Sequence, residues 1–192
     1  MKKIAVFASG AGSNTSQIID CFRQHSSIQV SLIASNRPDA GVIKIAAREN
    51  IPVLLLDKEK FFRGDGYIME LQKKEIDFIV LAGFLWKIPA MLLQLFPERI
   101  INIHPALLPK YGGKGMYGQY VHQAVLDHNE TESGITIHYV DEVYDHGHII
   151  FQVRCPVTAA DTAASLARKV AALEHRHYPE VIERVISRIE PL

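Results

Sequence analysis

The sequence predicts an α/β fold: a mostly parallel, twisted sheet with helices on both faces and antiparallel strands late in the chain. Three observations carry that prediction. Short apolar runs alternate with longer amphipathic stretches through the first half of the chain. A glycine-rich turn, Ser9-Gly10-Ala11-Gly12-Ser13-Asn14, separates the first apolar run from the first amphipathic stretch. Late in the chain, Ile135-Thr136-Ile137-His138-Tyr139-Val140 alternates at a period of two, as a strand exposed on one face does. Strand–helix alternation buries each strand on both sides and returns the chain parallel to itself.

In order, Ile4 to Ala8 reads as a strand, Asn14 to His25 as a helix and Ile28 to Ala34 as a second strand. Ala40 to Asn50 is a predicted helix, Pro52 to Leu56 a strand and Gly66 to Glu75 a helix. Asp77 to Ala82, a helix over Pro89 to Phe96 and a strand over Arg99 to Ile103 complete the alternation. Lys110 to Tyr120 carries glycines at 112, 113, 115 and 118 and reads as a long surface loop, the kind that is often functional. A helix from Gln119 to Asn129, the alternating strand and a strand over Ile149 to Val153 follow. The last helix starts near a cap at Asp161, with Leu166, Val170, Leu173, His177 and Val181 at helical spacing, and Pro179 is expected to kink or restart it. No repeat or linker interrupts residues 1–192, which read as one domain.

Composition narrows the function. Lys plus Arg and Asp plus Glu number 21 each, so nothing draws a nucleic-acid backbone. Cys21 and Cys155 form no CxxC pair, which suits a reducing compartment. Met1 to Phe7 opens like a signal peptide, but its apolar run stops at Ser9-Gly10. No stretch has the length needed to span a bilayer, and the expected location is the cytoplasm.

Sheets of this kind bind ligands beyond the carboxyl ends of their strands, where Ser9-Gly10, Gly83 and Asn102 all fall. The glycine-rich turn precedes a helix whose free N–H groups and dipole favour an anion. It is not a dinucleotide fingerprint, because Thr15 replaces the third glycine; a phosphate cradle and a plain capped turn both fit it. Asn102-Ile103-His104-Pro105-Ala106-Leu107-Leu108-Pro109 puts two polar side chains on one side of a strand end, stiffened by prolines. The connector Asp141 to His148 reads alone as a solvated turn. The histidine pairs 146/148 and 175/177 lack any Cys or HExxH frame, so no metal is expected.

Together these segments resemble the glycinamide ribonucleotide transformylases, folate-dependent formyltransferases with a Rossmann-like fold. The resemblance rests on Gly10 to Asn14, Leu81-Ala82-Gly83-Phe84, Asn102 to Pro109, Gly134 to Val140 with Asp145, and Glu174-His175, and runs nearly end to end. It implies transfer of a formyl group from 10-formyltetrahydrofolate, as co-substrate, to the amine of 5'-phosphoribosylglycinamide in purine (IMP) synthesis. Asn102, His104 and Asp145 match the family's catalytic trio. Gly12, Ser13 and Asn14 match its phosphate and ribose contacts, Glu174 a contact to the glycinamide end, and Leu85, Trp86, Lys87 and Ile88 its folate segment. Arg63 is assigned to the folate site, one place ahead of the family's basic residue, with Gly64 at the aligned position. The loop from Gly112 to Gly118 is a few residues longer than in well-known bacterial members.

By this reading Asn102 donates to the oxyanion, and Asp145 holds His104 cationic to stabilise that charge and move protons. A transfer-RNA formyltransferase needs an added RNA-binding domain and a basic face. A formyltetrahydrofolate deformylase carries a regulatory domain ahead of the catalytic one. A non-catalytic nucleotide-binding module leaves the trio without a purpose. The partners expected are the two small molecules, with no nucleic acid or membrane, and a homodimer is left open.

Overall fold

The computed structural model describes residues 1–63 and 65–189. Its frame is one seven-stranded sheet of order β3-β2-β1-β4-β5-β6-β7. β1 (Lys2–Phe7), β2 (Ile28–Ser35), β3 (Val53–Leu55), β4 (Phe78–Leu81) and β5 (Ile100–His104) run parallel. β6 (Glu132–Tyr139) and β7 (Ile149–Pro156) run antiparallel at one edge. Successive residues of β1 feed opposite faces: Ile4 and Val6 join the cluster under α1 (Ser13–Phe22), α2 (Gly41–Arg48), α6 (Gln119–Asp127) and α7 (Ala163–Ile186). Ala5 and Phe7 join the cluster under α3 (Lys58–Phe62), α4 (Ile68–Lys73) and α5 (Ala90–Leu95). From β1 the chain first builds outward to β3, then returns to lay β4 on the other side of β1. The crevice where strand order reverses therefore opens between β1 and β4. Cross-strand register runs Phe7–Leu81–Asn102–His138, so residues just beyond these positions share one end of the sheet.

Four expectations change. The stretch before α4 holds a further short helix, α3, whose Asp57 side chain accepts from the Lys60 N–H; so short a helix shows no period in the sequence. α7 starts one residue later than expected, at a reciprocal capping box between Thr162 and Ser165, while Asp161 binds Lys169 and Ser165. The same helix runs through Pro179 to Ile186 without restarting. An interior proline costs a helix about 3 kcal/mol. Burial of Leu166, Val170, Tyr178, Val181 and Ile182 along the same helix, worth roughly 1.5–3 kcal/mol per large apolar side chain, outweighs it.

The fourth change matters most for function. β6 is buried on both faces from Ser133 to His138, not exposed on one. Ile135 and Ile137 face the core, and the Pro105 to Leu108 loop covers the opposite face. There Thr136 donates to the Ala106 carbonyl (2.7 Å) and accepts from the Leu108 N–H (3.0 Å). Among the described residues no helix is long and apolar enough to cross a membrane.

Candidate active site

A cavity of about 710 Å³ opens at the carboxyl ends of β1, β4 and β5. β1 exits into Ser9, whose N–H donates to the Gly83 carbonyl (3.0 Å) and whose Oγ accepts from the Leu85 N–H (3.0 Å). The turn after β1 is thus tied to the segment after β4, and the two form adjoining walls.

Asn102 and His104 leave β5 on the same side, as their i, i+2 spacing requires, and both line the cavity. Asp145, from a connector 43 residues beyond Asn102, meets them. Its Oδ1 accepts from Asn102 Nδ2 at 3.4 Å, and its Oδ2 lies 3.5 Å from His104 Nδ1. Oδ2 also accepts from the Gly113 N–H (2.8 Å), which anchors the glycine-rich loop to the trio. Burial works against the Asp145 charge, but the neighbouring His138 and His104 imidazoles and the Gly113 N–H together hold its carboxyl below the ordinary value.

Two further groups fix tautomers. His104 Nε2 sits 2.7 Å from the Tyr111 carbonyl, which can only accept, so Nε2 carries the hydrogen. His138 Nδ1 faces the Tyr139 carbonyl (2.7 Å) in the same way, leaving Nε2 to accept from Asn102 Nδ2 (3.2 Å). His104 is 3 % exposed, and burial pushes its imidazole below the ordinary value despite the opposing pull of Asp145. Both ring nitrogens of His104 nevertheless face acceptors, the Tyr111 carbonyl and the Asp145 carboxylate, a setting that favours the charged ring against the cost of its burial.

At one arm of the cavity, Gly10, Asn14, Arg37 and Glu174 form the wall. Gly12 is the N-cap of α1 with φ 84°, and Ser13 and Asn14 open the helix, whose first N–H groups have no intrahelical acceptor. Gly12 itself is buried against α2: an added Cβ would lie 2.8 Å from Ile45 Cδ1 and 3.0 Å from Val42 Cα. Neither Gly12 nor Ser13 belongs to the cavity wall; Asn14 does. Asn14 Nδ2 donates to Glu174 Oε2 (2.9 Å), joining α1 to α7. Burial raises the Glu174 carboxyl above its ordinary value, against the lowering effect of that bond.

At the other arm, Leu85, Trp86, Lys87 and Ile88 line the wall with Val140 and Tyr144. Trp86 packs obliquely on Phe61 (5.5 Å between ring centres) and Phe62 (5.4 Å), so an aromatic cluster backs this part of the wall. Arg63 is not on this wall. It lies with Lys87 and Ile88 on an adjoining depression of about 300 Å³; Gly64 lies outside the described residues. Among the described residues, no group of three or more His, Cys, Asp or Glu is placed to hold a metal ion.

Sequence reasoning missed His138, Tyr111 and His122 as parts of the wall or its support. His138 lies in the alternation of β6 at a position assigned to solvent. Tyr111 contributes a backbone carbonyl, which no side-chain pattern announces. His122 stands alone on a helix, where a satisfied core histidine is the ordinary reading.

A fold with its ligand crevice at the strand reversal, and an Asn-x-His strand end met by a distant Asp, defines a class. Residues 2–182 match the formyl transferase family, and the chain belongs to it. It is 46 % identical over 187 residues to the chloroplastic phosphoribosylglycinamide formyltransferase of Arabidopsis thaliana, covering 94 % of this chain and 64 % of that protein. The Vigna unguiculata counterpart is 43 % identical over 187 residues, covering 95 % of this chain and 60 % of that protein. The chain thus spans less than two thirds of these plant relatives. The Bacillus subtilis phosphoribosylglycinamide formyltransferase is 35 % identical over 191 residues, covering 97 % of this chain and 95 % of that one. Among solved structures, that of the Bacillus halodurans enzyme of the same name superposes with a TM-score of 0.89 at 35 % identity, over all of this chain and 98 % of that one.

Proposed function

We propose that residues 1–192 act as one catalytic domain that transfers the formyl group of 10-formyltetrahydrofolate to the amine of 5'-phosphoribosylglycinamide, in purine (IMP) synthesis. The observation that carries this reading is the position of Asn102, His104 and Asp145 between two dissimilar arms of one cavity. One arm, with the α1 N-terminus, Asn14 and Glu174, suits a phosphorylated, hydroxyl-rich amine. The Leu85 to Ile88 arm suits a flat, largely apolar ring system, with Lys87 and neighbouring Arg63 suited to carboxylates at its far end.

In the reaction the amine nitrogen bonds to the formyl carbon and negative charge gathers on the formyl oxygen. The Asn102 N–H contacts, at 3.2 and 3.4 Å, are long, and such contacts commonly tighten only when substrate is bound. One N–H can turn to the growing charge, and a donor of this kind is worth ~10²–10³ in rate. Asp145 and Tyr111 hold the His104 ring from both sides beside that oxygen. Alignment of the two substrates supplies much of the remainder. The partners in this reading are the two small molecules. The two free thiols, Cys21 and Cys155, support a reducing cytoplasm as its location.

The test is to incubate the purified chain with both substrates and follow the formylated ribonucleotide by mass spectrometry. Formylated product is expected only when both are present. Release of formate with no formylated product would replace the reading with a hydrolase.

A further inference from the structure

His104 can act on the reacting atoms only while its ring is held at one angle. Asp145 faces its Nδ1 at 3.5 Å, and the Tyr111 carbonyl accepts from its Nε2 at 2.7 Å, the shorter of the two contacts. Asp145 is anchored in turn by the Gly113 N–H and lies beside Asn102 and His138. The Tyr111 carbonyl opens a stretch with glycines at 112, 113, 115 and 118, a backbone with wide conformational freedom. Its direction therefore depends on whatever holds the Tyr111–Gly112 peptide.

Tyr111 sits in the left-handed region at φ 57°, a conformation that disfavours a side chain and persists only where the surroundings fix it. On the Gly112 side the peptide is pressed close: an added Cβ would lie 2.5 Å from Leu108 Cδ2 and 3.2 Å from Asp145 Cβ. On the other side the Tyr111 ring is the anchor. It meets the edge of His128, with 5.6 Å between ring centres, and its hydroxyl donates to Glu130 Oε1 at 2.8 Å. Burial, and then this bond, push the phenol up to about 12, so it remains a donor at neutral pH.

Glu130 belongs to the connector between α6 and β6, and its N–H donates to the Val125 carbonyl near the end of α6 (3.2 Å). Neither Glu130 nor Tyr111 lines the cavity. The same Oε1 accepts from Lys110 Nζ at 2.7 Å, but Lys110 is largely exposed and such a pair adds little. The bond to Tyr111 is the one that reaches the site.

We infer that Glu130 is a positioning residue for the transfer: through the Tyr111 hydroxyl it holds the backbone carbonyl that orients the His104 ring. This rests on the proposed transfer to glycinamide ribonucleotide, which the wild-type assay settles separately. A wild type inactive with both substrates removes the reaction and leaves the orientation of His104 to be read by NMR, with no substrate present.

Three variants and one combination test the inference, with folding checked by circular dichroism. Tyr111→Phe keeps the ring and removes the hydroxyl; Glu130→Ala removes the acceptor. Each should lower turnover by roughly tenfold or more, since a misplacement of about 1 Å can cost 10²-fold. The Michaelis constants for both substrates should stay within about threefold, because the loss falls on the reacting centre. The double variant should be no slower than the slower single one, as residues acting as a unit are non-additive. Glu130→Gln keeps an acceptor and drops the ion pair with Lys110, so its turnover should stay within about threefold of wild type. The His104 ring gives the readout that a merely structural staple leaves unmoved. The Tyr111 carbonyl raises its proton affinity, so the titration should move to lower pH in Tyr111→Phe and Glu130→Ala and stay in place in Glu130→Gln. Asp145, His138 and His122 also face or sense that ring, and none is altered by these variants. Where Glu130→Ala does not fold, Tyr111→Phe against Glu130→Gln carries the same comparison. Tyr111→Phe at wild-type turnover, single losses that multiply in the double variant, or a slower enzyme whose His104 titration has not moved would each overturn the inference.

Discussion

Asp145 shows how a single carboxylate can serve four neighbours. It sits in the left-handed region at φ 56°, and its two oxygens meet Asn102, His138, His104 and the Gly113 N–H. Its charge raises the proton affinity of His104 while burial lowers it, and burial prevails. Asp145→Asn keeps the shape and removes the charge, so His104 should titrate lower still. An NMR titration of the His104 ring reads this directly, and a value unmoved or raised would show that the two do not interact. Turnover should fall roughly 10²-fold or more, the size of an acid–base or electrostatic contribution. At this scale much was legible in the sequence: the Asn102/His104 spacing on a strand end fixes a common side whatever the rest of the chain does. The contest between burial and Asp145 at His104 was not legible, because it depends on how deeply the fold buries the ring. The site's dependence on the Tyr111 carbonyl was hidden for a related reason, since a backbone group has no residue type to read.

Among the elements, β6 is where pattern and structure part. Alternation promised a wet face, yet Gly134 and Thr136 are buried under the loop that follows His104, and His138 is buried against Asn102 and Asp145. Alternating polarity records which side chains are polar, not whether another segment lies over them. Here the covering segment is Pro105 to Leu108, and Thr136 is its anchor. Its Oγ1 donates to Ala106, accepts from Leu108 N–H and takes Gln152 Nε2 at 2.8 Å. Gln152 in turn donates to the Leu108 carbonyl at 2.9 Å. Thr136→Val keeps the size and β-branching but leaves the buried Leu108 N–H without its partner. Chemical denaturation should show a loss of about 1–3 kcal/mol, the cost of an orphaned buried group. Thr136→Ser, which keeps the hydroxyl, should recover most of it. Equal losses in the two variants would mean that packing of the methyl group, and not the hydrogen bonds, holds the loop. The parallel strands were easier to read, because each carries a short apolar run. α3 was not, since a single turn shows no period.

For the molecule as a whole, the cavity sets a relation between acidity and stability. His104 and His122 both titrate below the ordinary imidazole value, chiefly through burial. In the unfolded chain each regains a value near about 6.5. Between those limits the unfolded chain binds more protons than the folded one, so stability is full above about pH 6.5 and falls as the solution is acidified. Asp145, with a lowered carboxyl, adds a loss of the same sign only near and below the ordinary carboxylate range. Glu174 acts the other way: its raised carboxyl takes a proton more readily when folded, which offsets part of the loss above the ordinary glutamate value. Each tenfold change in proton affinity between folded and unfolded chains is worth about 1.4 kcal/mol. Melting temperature followed from pH 8 to pH 5 should hold steady at first and then drop from about pH 6.5, before ordinary carboxylates begin to titrate. Replacing His122 with Gln should flatten that drop, because one depressed imidazole has gone. Glu174→Gln should steepen it, because the offset has gone. A wild-type curve that stays level to pH 5 would show that the two imidazoles are hydrated in the folded chain, contrary to their burial in the cavity wall.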